Sequence, residues 1–530
     1  MDENRQPPEV AVAVTIEARG IAGAASIVAV GNLVSRVLGL ARESISAALF
    51  GASGLVSAFG VANIIPKQIY ELLIGGMLDS ALVPVLSEYV ALKRQRELGQ
   101  LVGVILSLVA VVLTAIVLLL ELLAPQLTWL VAGGFDDPQR VATQSLLRIM
   151  LPSVLFVSLA GVTTALLHAQ KRFALPAAAA AVYNAGLIVA MLTLSGRLGI
   201  YSLGVGVLLA AALQLAVLLP GLRRIPLRLR LDLKHPALKR IARLYAPIVL
   251  GLGVSLVQVT IDRRLASGTG ASSIAWMDKA TTLVQSAHGL VAVAISTAVL
   301  PPLAQAIARA DLEGYRRTLG TGLRLALLLI VPLTVGMFLL AEPLVALMFQ
   351  RGEFAAIDTY WTMRALRLYL FGLAFATLDW PLNYASYARQ DTLTPALVGI
   401  LSVGVYLAVA LSLVGPLGML GLVLADSAKH LSHAATMLAL TSRRVAGLGA
   451  ERLGTTAAKV GLAAAAMGAA VWAVGEALGE TASMASLPGQ LAALAAPAAA
   501  GVAVYAALIS RLRIDEVGLL LAAVRRRLGR

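Results

Sequence analysis

Ser35, Arg36, Arg42 and Glu43 fall within the stretch SRVLGLARES, residues 35–44, inside a largely apolar run from 21 to 51. At about 100° per residue, Ser35, Gly39, Arg42 and Ser46 form one helical stripe, and Arg36 and Glu43, seven apart, align on an adjoining one. A guanidinium in the middle of a bilayer costs a few kcal/mol or more, so such a wedge has to face protein or a watery cavity. Two arginines in a cavity present forks of N–H donors suited to phosphate oxygens. The same residues also allow an internal ion pair, Arg36 with Glu43 or with Glu71, that locks helices together. The residues alone leave both readings open.

Other charges interrupt apolar segments. Lys67 and Glu71, four apart, are either a self-neutralising pair or cavity groups. Asp278 and Lys279 open a later segment, and Asp262, Arg263 and Arg264 stand at the end of another, where snorkelling to the interface is expected. Asp426, Lys429, His430 and His433 share one segment. There Asp426 and His430 are candidates for a coupling cation or proton, against simple neutralisation of Asp426 by Lys429. His168, His235 and His288 read as isolated, structural or solvated histidines. There is no cysteine and nothing like a phosphate-binding loop, a zinc helix or a nucleophile elbow, so neither a metal site, a cofactor nor an intrinsic enzyme is expected.

The elements that must position these residues follow from composition. Hydrophobic residues make up 59% of the 530, charged residues 13%, and the mean hydropathy is +0.85, which describes a polytopic membrane protein. The first twenty residues are polar and acidic, unlike a cleavable signal peptide. With about 20 apolar residues needed per span, fourteen spans are expected, centred near 36, 67, 112, 156, 184, 209, 253, 290, 329, 374, 403, 428, 467 and 499, the second and eighth each with room for a break. Backbone groups in lipid must be satisfied within the segment, so the fold class is an all-α bundle.

Of the 43 Lys and Arg, 29 fall on the side of the N-terminus, three (Arg140, Arg197 and Arg351) on the other, and 11 within spans or at their ends. The positive-inside rule then places both termini in the cytoplasm. The net charge of +15 is read as this topology signal plus attraction to anionic lipid, with no nucleic acid as partner. The chain also repeats itself. A shift of 217 superposes ALVPVL at 81–86 on AVLPPL at 298–303, and a shift of 219 carries AQKRFALP at 169–176 onto ARQDTLTP at 388–395. The expected organisation is a cytoplasmic segment 1–20, an N-lobe of six spans over 21–221, a basic linker 222–244, a C-lobe of six spans over 245–445, two further spans over 446–511 and a basic tail 512–530. Six is even, so the lobes are related by a pseudo-two-fold axis along the membrane normal, an arrangement common among alternating-access transporters.

SRVLGLARES followed by LFGAS, with ALVPVLSEY, RIMLPSVLF, KRFALPAAAAAVYNAG, GLVAVAISTAVLPPLAQA, FLLAEPLVALMFQRGEF, YARQDTLTP and GMLGLVLADS, resembles the MurJ (MviN) lipid II flippases of the multidrug/oligosaccharidyl-lipid/polysaccharide exporter superfamily over about residues 30–445. The resemblance implies fourteen helices, a central cationic cavity, and movement of undecaprenyl-diphosphate-linked disaccharide-peptide from the inner to the outer leaflet of a bacterial cytoplasmic membrane. It puts Ser35, Arg36 and Arg42 at cavity positions, Glu43 where an acid is usual, and Asn184 at the asparagine after tyrosine on the fifth span.

The chain departs from the family at Tyr70 and Glu71, where paired arginines are usual, at Gly75 for a glutamate, at Thr281 and Thr282 for an acid and an arginine, and at Ser57 for an acid. Lys67 and Lys279, each about one turn away, are expected to restore the missing cations. The resemblance thus implies a divergent flippase for lipid II, driven by a monovalent ion or the membrane potential, with membrane lipids and the lipid-linked diphosphate as partners. A flippase for another lipid-linked oligosaccharide, a drug/cation antiporter of the same superfamily and a non-transporting scaffold are the alternatives.

The orientation is testable because the chain has no cysteine of its own. Ser272→Cys should react with an impermeant maleimide on intact cells, and Ser442→Cys only after permeabilisation; the opposite pattern would invert the topology.

Overall fold

The structure, a computed structural model, describes residues 30–223, 225–445, 452–479, 486–512, 514 and 516–518. The N-terminal segment 1–20 and the basic tail beyond 518 lie outside the described residues. The described residues are helical throughout, with short connections and no strand. The chain divides into two compact units after Gly268.

The first unit holds α1 (residues 30–50), α2 (Gly54–Tyr70), α3 (Val83–Ala91), α4 (Gln95–Leu122), α5 (Ala124–Ala132), α6 (Asp137–Met150), α7 (Ser153–Ala169), α8 (Ala174–Leu198), α9 (Tyr201–Leu218) and α10 (Pro236–Ser267). The second holds α11 (Ser273–Ala308), α12 (Leu312–Leu339), α13 (Ala341–Phe349), α14 (Ala356–Ala388), α15 (Leu393–Leu417), α16 (Met419–Arg444), α17 (Leu453–Leu478) and α18 (Leu487–Arg511). Each of the fourteen segments expected from the sequence falls on helix. Eight runs, or ten if two bent pairs are counted as single spans, are long and apolar enough to cross a membrane. The other four positions, on α1, α11, α14 and α16, each carry charged residues that lower their hydropathy. Leu118 and Leu122 of α4 are 60% and 76% exposed, an outward apolar face that lipid solvates and water would not.

The internal repeat is written into the helix boundaries. At a shift of 217, α4 maps onto α12 and α5 onto α13, end for end; at 219, the stretch from Asp137 to Ala169 maps onto α14 and α8 onto α15. The turns repeat as well: residues with positive φ recur at Lys93 and Ala310, at Lys171 and Gln390, and at Gly199 and Gly418. The two extra residues enter between Ala132 and Asp137, in a loop, where an insertion costs little.

The halves differ where proline decides. Pro152 separates α6 from α7 with a 40° bend, while its counterpart Phe371 leaves α14 continuous, because proline lacks the N–H and collides with the preceding turn. The second span, expected to allow a break, is instead continuous helix from Gly54 to Ala91 with two π-helical turns, Glu71–Gly75 and Leu78–Leu82. The eighth, α11, is helical throughout.

The linker is less open than its charge suggests. Its last residues begin α10, and the backbone of Pro226 and Arg228 lies directly on α4, where a Cβ at Gly99 or Gly103 would collide with their carbonyl groups. α10, which the repeat pairs with α1, packs with the first unit: Tyr245 Oη donates to the carbonyl of Leu72 in the first π turn, and Arg264 Nη1 donates to the carbonyl of Trp129 at 2.7 Å. Arg264 also stacks over the Trp129 ring, so it is anchored to protein rather than snorkelling.

In the second unit α17 and α18 pack on each other and on α12, with Tyr505 Oη donating to the carbonyl of Leu328 at 2.8 Å. Outside the spans, Asp391 caps α15: the Thr394 hydroxyl and amide, and then Arg444, hold its carboxyl below the usual aspartate range.

The start of the basic C-terminal tail is buried among the helices of the second unit. Glu516, 4% exposed at its side chain, accepts from Arg324 Nε of α12. Breaking a buried pair from one side leaves an uncompensated charge and costs about 3–5 kcal/mol, whereas replacing both partners by apolar groups is near neutral. Glu516→Ala should therefore lower the thermal midpoint of the detergent-solubilised protein sharply, and Arg324→Met with Glu516→Leu should restore most of it.

Candidate functional site

Two groups of polar side chains stand inside the helical units, one in each. In the first unit α1 and α8 run side by side, with Gly31 against Ala177 and Gly39 beside Asn184. The buried amide of Asn184 is the hub: its Nδ2 lies 3.3 Å from Ser35 Oγ, 3.4 Å from the Ser35 carbonyl and 3.2 Å from the carbonyl of Ala180, while its Oδ1 accepts from Arg42 Nη1 at 3.1 Å. Arg42 Nη2 donates to Glu43 Oε1 at 2.8 Å. One face of the guanidinium is thus fixed by an amide from a helix 142 residues away and the other by the next residue in the chain.

The ion pair in α1 is therefore Arg42 with Glu43, and not Arg36 with Glu43 or Glu71. Arg36 is exposed and, among the described residues, forms no ion pair. Since Glu43 offsets Arg42, the wedge keeps one net positive charge, borne outward by Arg36, beside a second guanidinium pre-oriented by hydrogen bonds. Ser35, Arg42, Glu43 and Asn184 thus form one hydrogen-bonded group, with Arg36 exposed on the same helix.

The remaining candidates are placed apart from this hub. Lys67, on the last turn of α2, is exposed, and Glu71 begins the first π turn. Of the two readings left open for them, the i,i+4 pair is not formed among the described residues, and the Glu71 carboxylate folds over Gly75 instead. Lys279 of α11 is 4% exposed with its ammonium 5.5 Å from the centre of the Phe349 ring. Expected on a cavity surface, it is buried in this structure, partly because an aromatic face offers a lysine cation attraction where no water can.

The second group joins α16 to α14. Asp426, His430 and His433, spaced by four and three, share one face of α16. Lys429 Nζ holds Asp426 Oδ1 at 2.5 Å. His433 Nδ1 is 2.8 Å from Asp379 Oδ1 of α14, and His430 stands between the carboxylates, Nδ1 3.8 Å from Asp379 and Nε2 3.8 Å from Asp426. His288 of α11 is not isolated: its Nε2 accepts from Trp380 Nε1, the residue next to Asp379, at 2.5 Å. Asp379 was missed because nothing near it in sequence hints at a partner; only the recurrence of His430 and His433 on one face signals that a carboxylate should meet them. Among the described residues no group of side chains suits a metal ion.

An all-helical, internally duplicated chain with apolar outer faces and a braced arginine inside is a membrane transporter by class, and the comparisons narrow it. The family model for lipid II flippase MurJ matches residues 46–490. The lipid II flippase MurJ of Burkholderia cenocepacia is 32% identical over 382 residues, covering 70% of this chain and 73% of that one. The chain belongs to the MurJ lipid II flippase family, a family of transporters and not of enzymes.

Solved structures agree on the fold. A MurJ in an inward closed conformation superposes with a TM-score of 0.78 at 22% identity, covering 92% of this chain and 99% of that chain. An inward-facing multidrug resistance MATE family transporter of the MOP superfamily superposes with a TM-score of 0.67 at 14% identity, covering 78% and 95%. The family match begins at residue 46, so Arg36, Arg42 and Glu43 rest on their own geometry.

That geometry separates support from charge. Asn184→Ala removes a hydrogen bond to a charged group, worth about 1.5–3 kcal/mol, and should lower thermal stability in detergent. Asn184→Asp keeps an acceptor for Arg42 but cancels its field and turns an oxygen toward the carbonyls of Ser35 and Ala180, so it should also melt below wild type and lose transport, whereas Asn184→Ala should keep part of it; equal transport in the two variants would reduce Asn184 to a packing residue.

Proposed function

We propose that this chain moves lipid II, the undecaprenyl-diphosphate-linked peptidoglycan precursor, from the inner to the outer leaflet of a bacterial cytoplasmic membrane, with both termini in the cytoplasm. The observation that carries the reading is Arg42, fixed by Asn184 and Glu43 beside an exposed Arg36 on a membrane helix, in a chain of the MurJ lipid II flippase family. A diphosphate is the part of such a substrate least able to enter lipid, and a bidentate guanidinium is the side chain best matched to its oxygens. No bond is made or broken. The work is to lower the cost of taking a charged headgroup through the bilayer, and arginines that open to one leaflet at a time do this by replacing its water.

Lys67, Glu71 and Lys279 stand apart from this hub. Lys67 is exposed and within reach of a passing headgroup, while Lys279 would have to leave the Phe349 ring to take part. The antiporter alternative would want acids as the main feature of the first helix, and there the net charge is positive.

The test is complementation of a bacterium depleted of its own flippase. The wild-type chain should restore growth. Arg36→Ala or Arg42→Ala should abolish it with membrane insertion intact, and Arg42→Lys should rescue poorly, since an ammonium lacks the paired donors. Full growth with the double alanine variant would refute the assignment.

A further inference from the structure

The second polar group has a charge imbalance that its position in the membrane makes consequential. Lys429 is salt-bridged to Asp426. Asp379 faces no permanent cation: the groups around it are His433 and His430 from α16, while from α11 His288 is turned to the indole of Trp380. Among the described residues these are the titratable groups that face the cluster from the helices packed on it. With all three imidazoles neutral, the group carries one net negative charge inside a helix bundle. A lone buried carboxylate is costly in lipid, and the ways to neutralise it here are a proton on Asp379 itself or on an imidazole beside it.

We propose that the Asp379–His433 pair is a proton-binding site and that, on the flippase reading above, its loading and unloading couple transport to the proton gradient. An ionised carboxylate only accepts, so neutral His433 donates Nδ1–H to Asp379 at 2.8 Å, leaving Nε2 free. A proton arriving at Nε2 turns the pair into imidazolium and carboxylate with no net charge; its departure restores the negative charge.

His430 and Asp426 supply the approach. The row from Asp426 to His433 rises by seven residue steps of α16, about 10 Å along the helix. It runs from side chains 29% and 31% exposed, Asp426 and His430, to side chains 13% and 15% exposed, Asp379 and His433. The inner contact is closed at hydrogen-bond distance, whereas both contacts of His430, at 3.8 Å, are too long for one. A shift of about 1 Å in the His430 ring would close either side, so the path is interrupted at a single residue that can face one carboxylate or the other. Sodium suits this group poorly: a hard cation takes a shell of oxygens, and here the two carboxylates are already engaged by imidazoles and an ammonium.

Two measurements on the full-length protein test this. In weakly buffered detergent solution with an indicator dye, acidification from pH 8 to 5 should load about one proton more per chain on the wild type than on Asp379→Asn or His433→Gln, with Asp379→Glu close to wild type. Equal uptake in all four would overturn the site.

In proteoliposomes carrying a fluorescent lipid-linked diphosphate disaccharide-peptide, an imposed pH gradient should speed flipping several-fold in the wild type. It should have no effect in Asp379→Asn or His433→Gln, which should still equilibrate the probe slowly. Acceleration by a sodium gradient and not by a pH gradient would overturn the coupling. Wild-type protein that takes up the proton but never moves the probe would count against the flippase reading and for the proton site.

Discussion

Charge within a bilayer has to be answered by protein, and most of what is particular to this chain follows from how its charges are answered. Arg42 is met by an amide and a carboxylate, Arg264 by a carbonyl and an indole face, Lys429 by Asp426, Arg324 by Glu516 of the incoming tail. Each of these contacts ties one helix to another or stiffens one locally. The helices gain little hydrophobic drive by associating in lipid, so such polar ties carry much of the specificity that an apolar core supplies in water. What is left over after this pairing, an outward Arg36 in one unit and an unmatched Asp379 in the other, is where a function can act.

Much of the architecture could be read before any coordinates. Eight to ten of the span positions follow from hydropathy, and the duplication is visible in residue shifts that the helix ends and turn conformations then reproduce. Part of the hub around Arg42 was also legible, because a helical stripe pointed to Ser35 and Arg42 and the sequence resemblance alone added Asn184. Pairings between helices were not. Asp379 meets His433 across 54 residues, and Trp380 meets His288 across 92, and no local periodicity encodes a partner at that separation. The burial of Lys279 was not legible for the same reason: the Phe349 ring that its ammonium faces lies seventy residues on. In the tail the many basic residues obscured Glu516, one of its two acids, which anchors its beginning.

Duplication does not mean equivalence here. The two halves share helix lengths and turns, yet Pro152 breaks in one what Phe371 leaves whole in the other. The braced arginine belongs to the first half, while the histidines and the unmatched aspartate belong to the second. A duplicated scaffold thus carries two different polar groups, a guanidinium held by an amide and a carboxylate on α1 with α8 and a row of histidines and carboxylates on α14 with α16, each built on helices that pack within one unit.

The two π turns of the second span give it a mechanical property that a plain helix lacks. Each holds one residue more than an α turn, so each shifts the angular phase of everything beyond it by about 100°. A helical wheel drawn from Lys67 through Glu71–Gly75 and Leu78–Leu82 therefore loses track of which side of the rod a residue occupies. Relaxing either turn to α geometry would swivel the adjoining segment by that same angle while changing the length of the rod by only about 1.5 Å. A span built this way can aim its side chains at a new neighbour by turning in place, without being drawn through the bilayer.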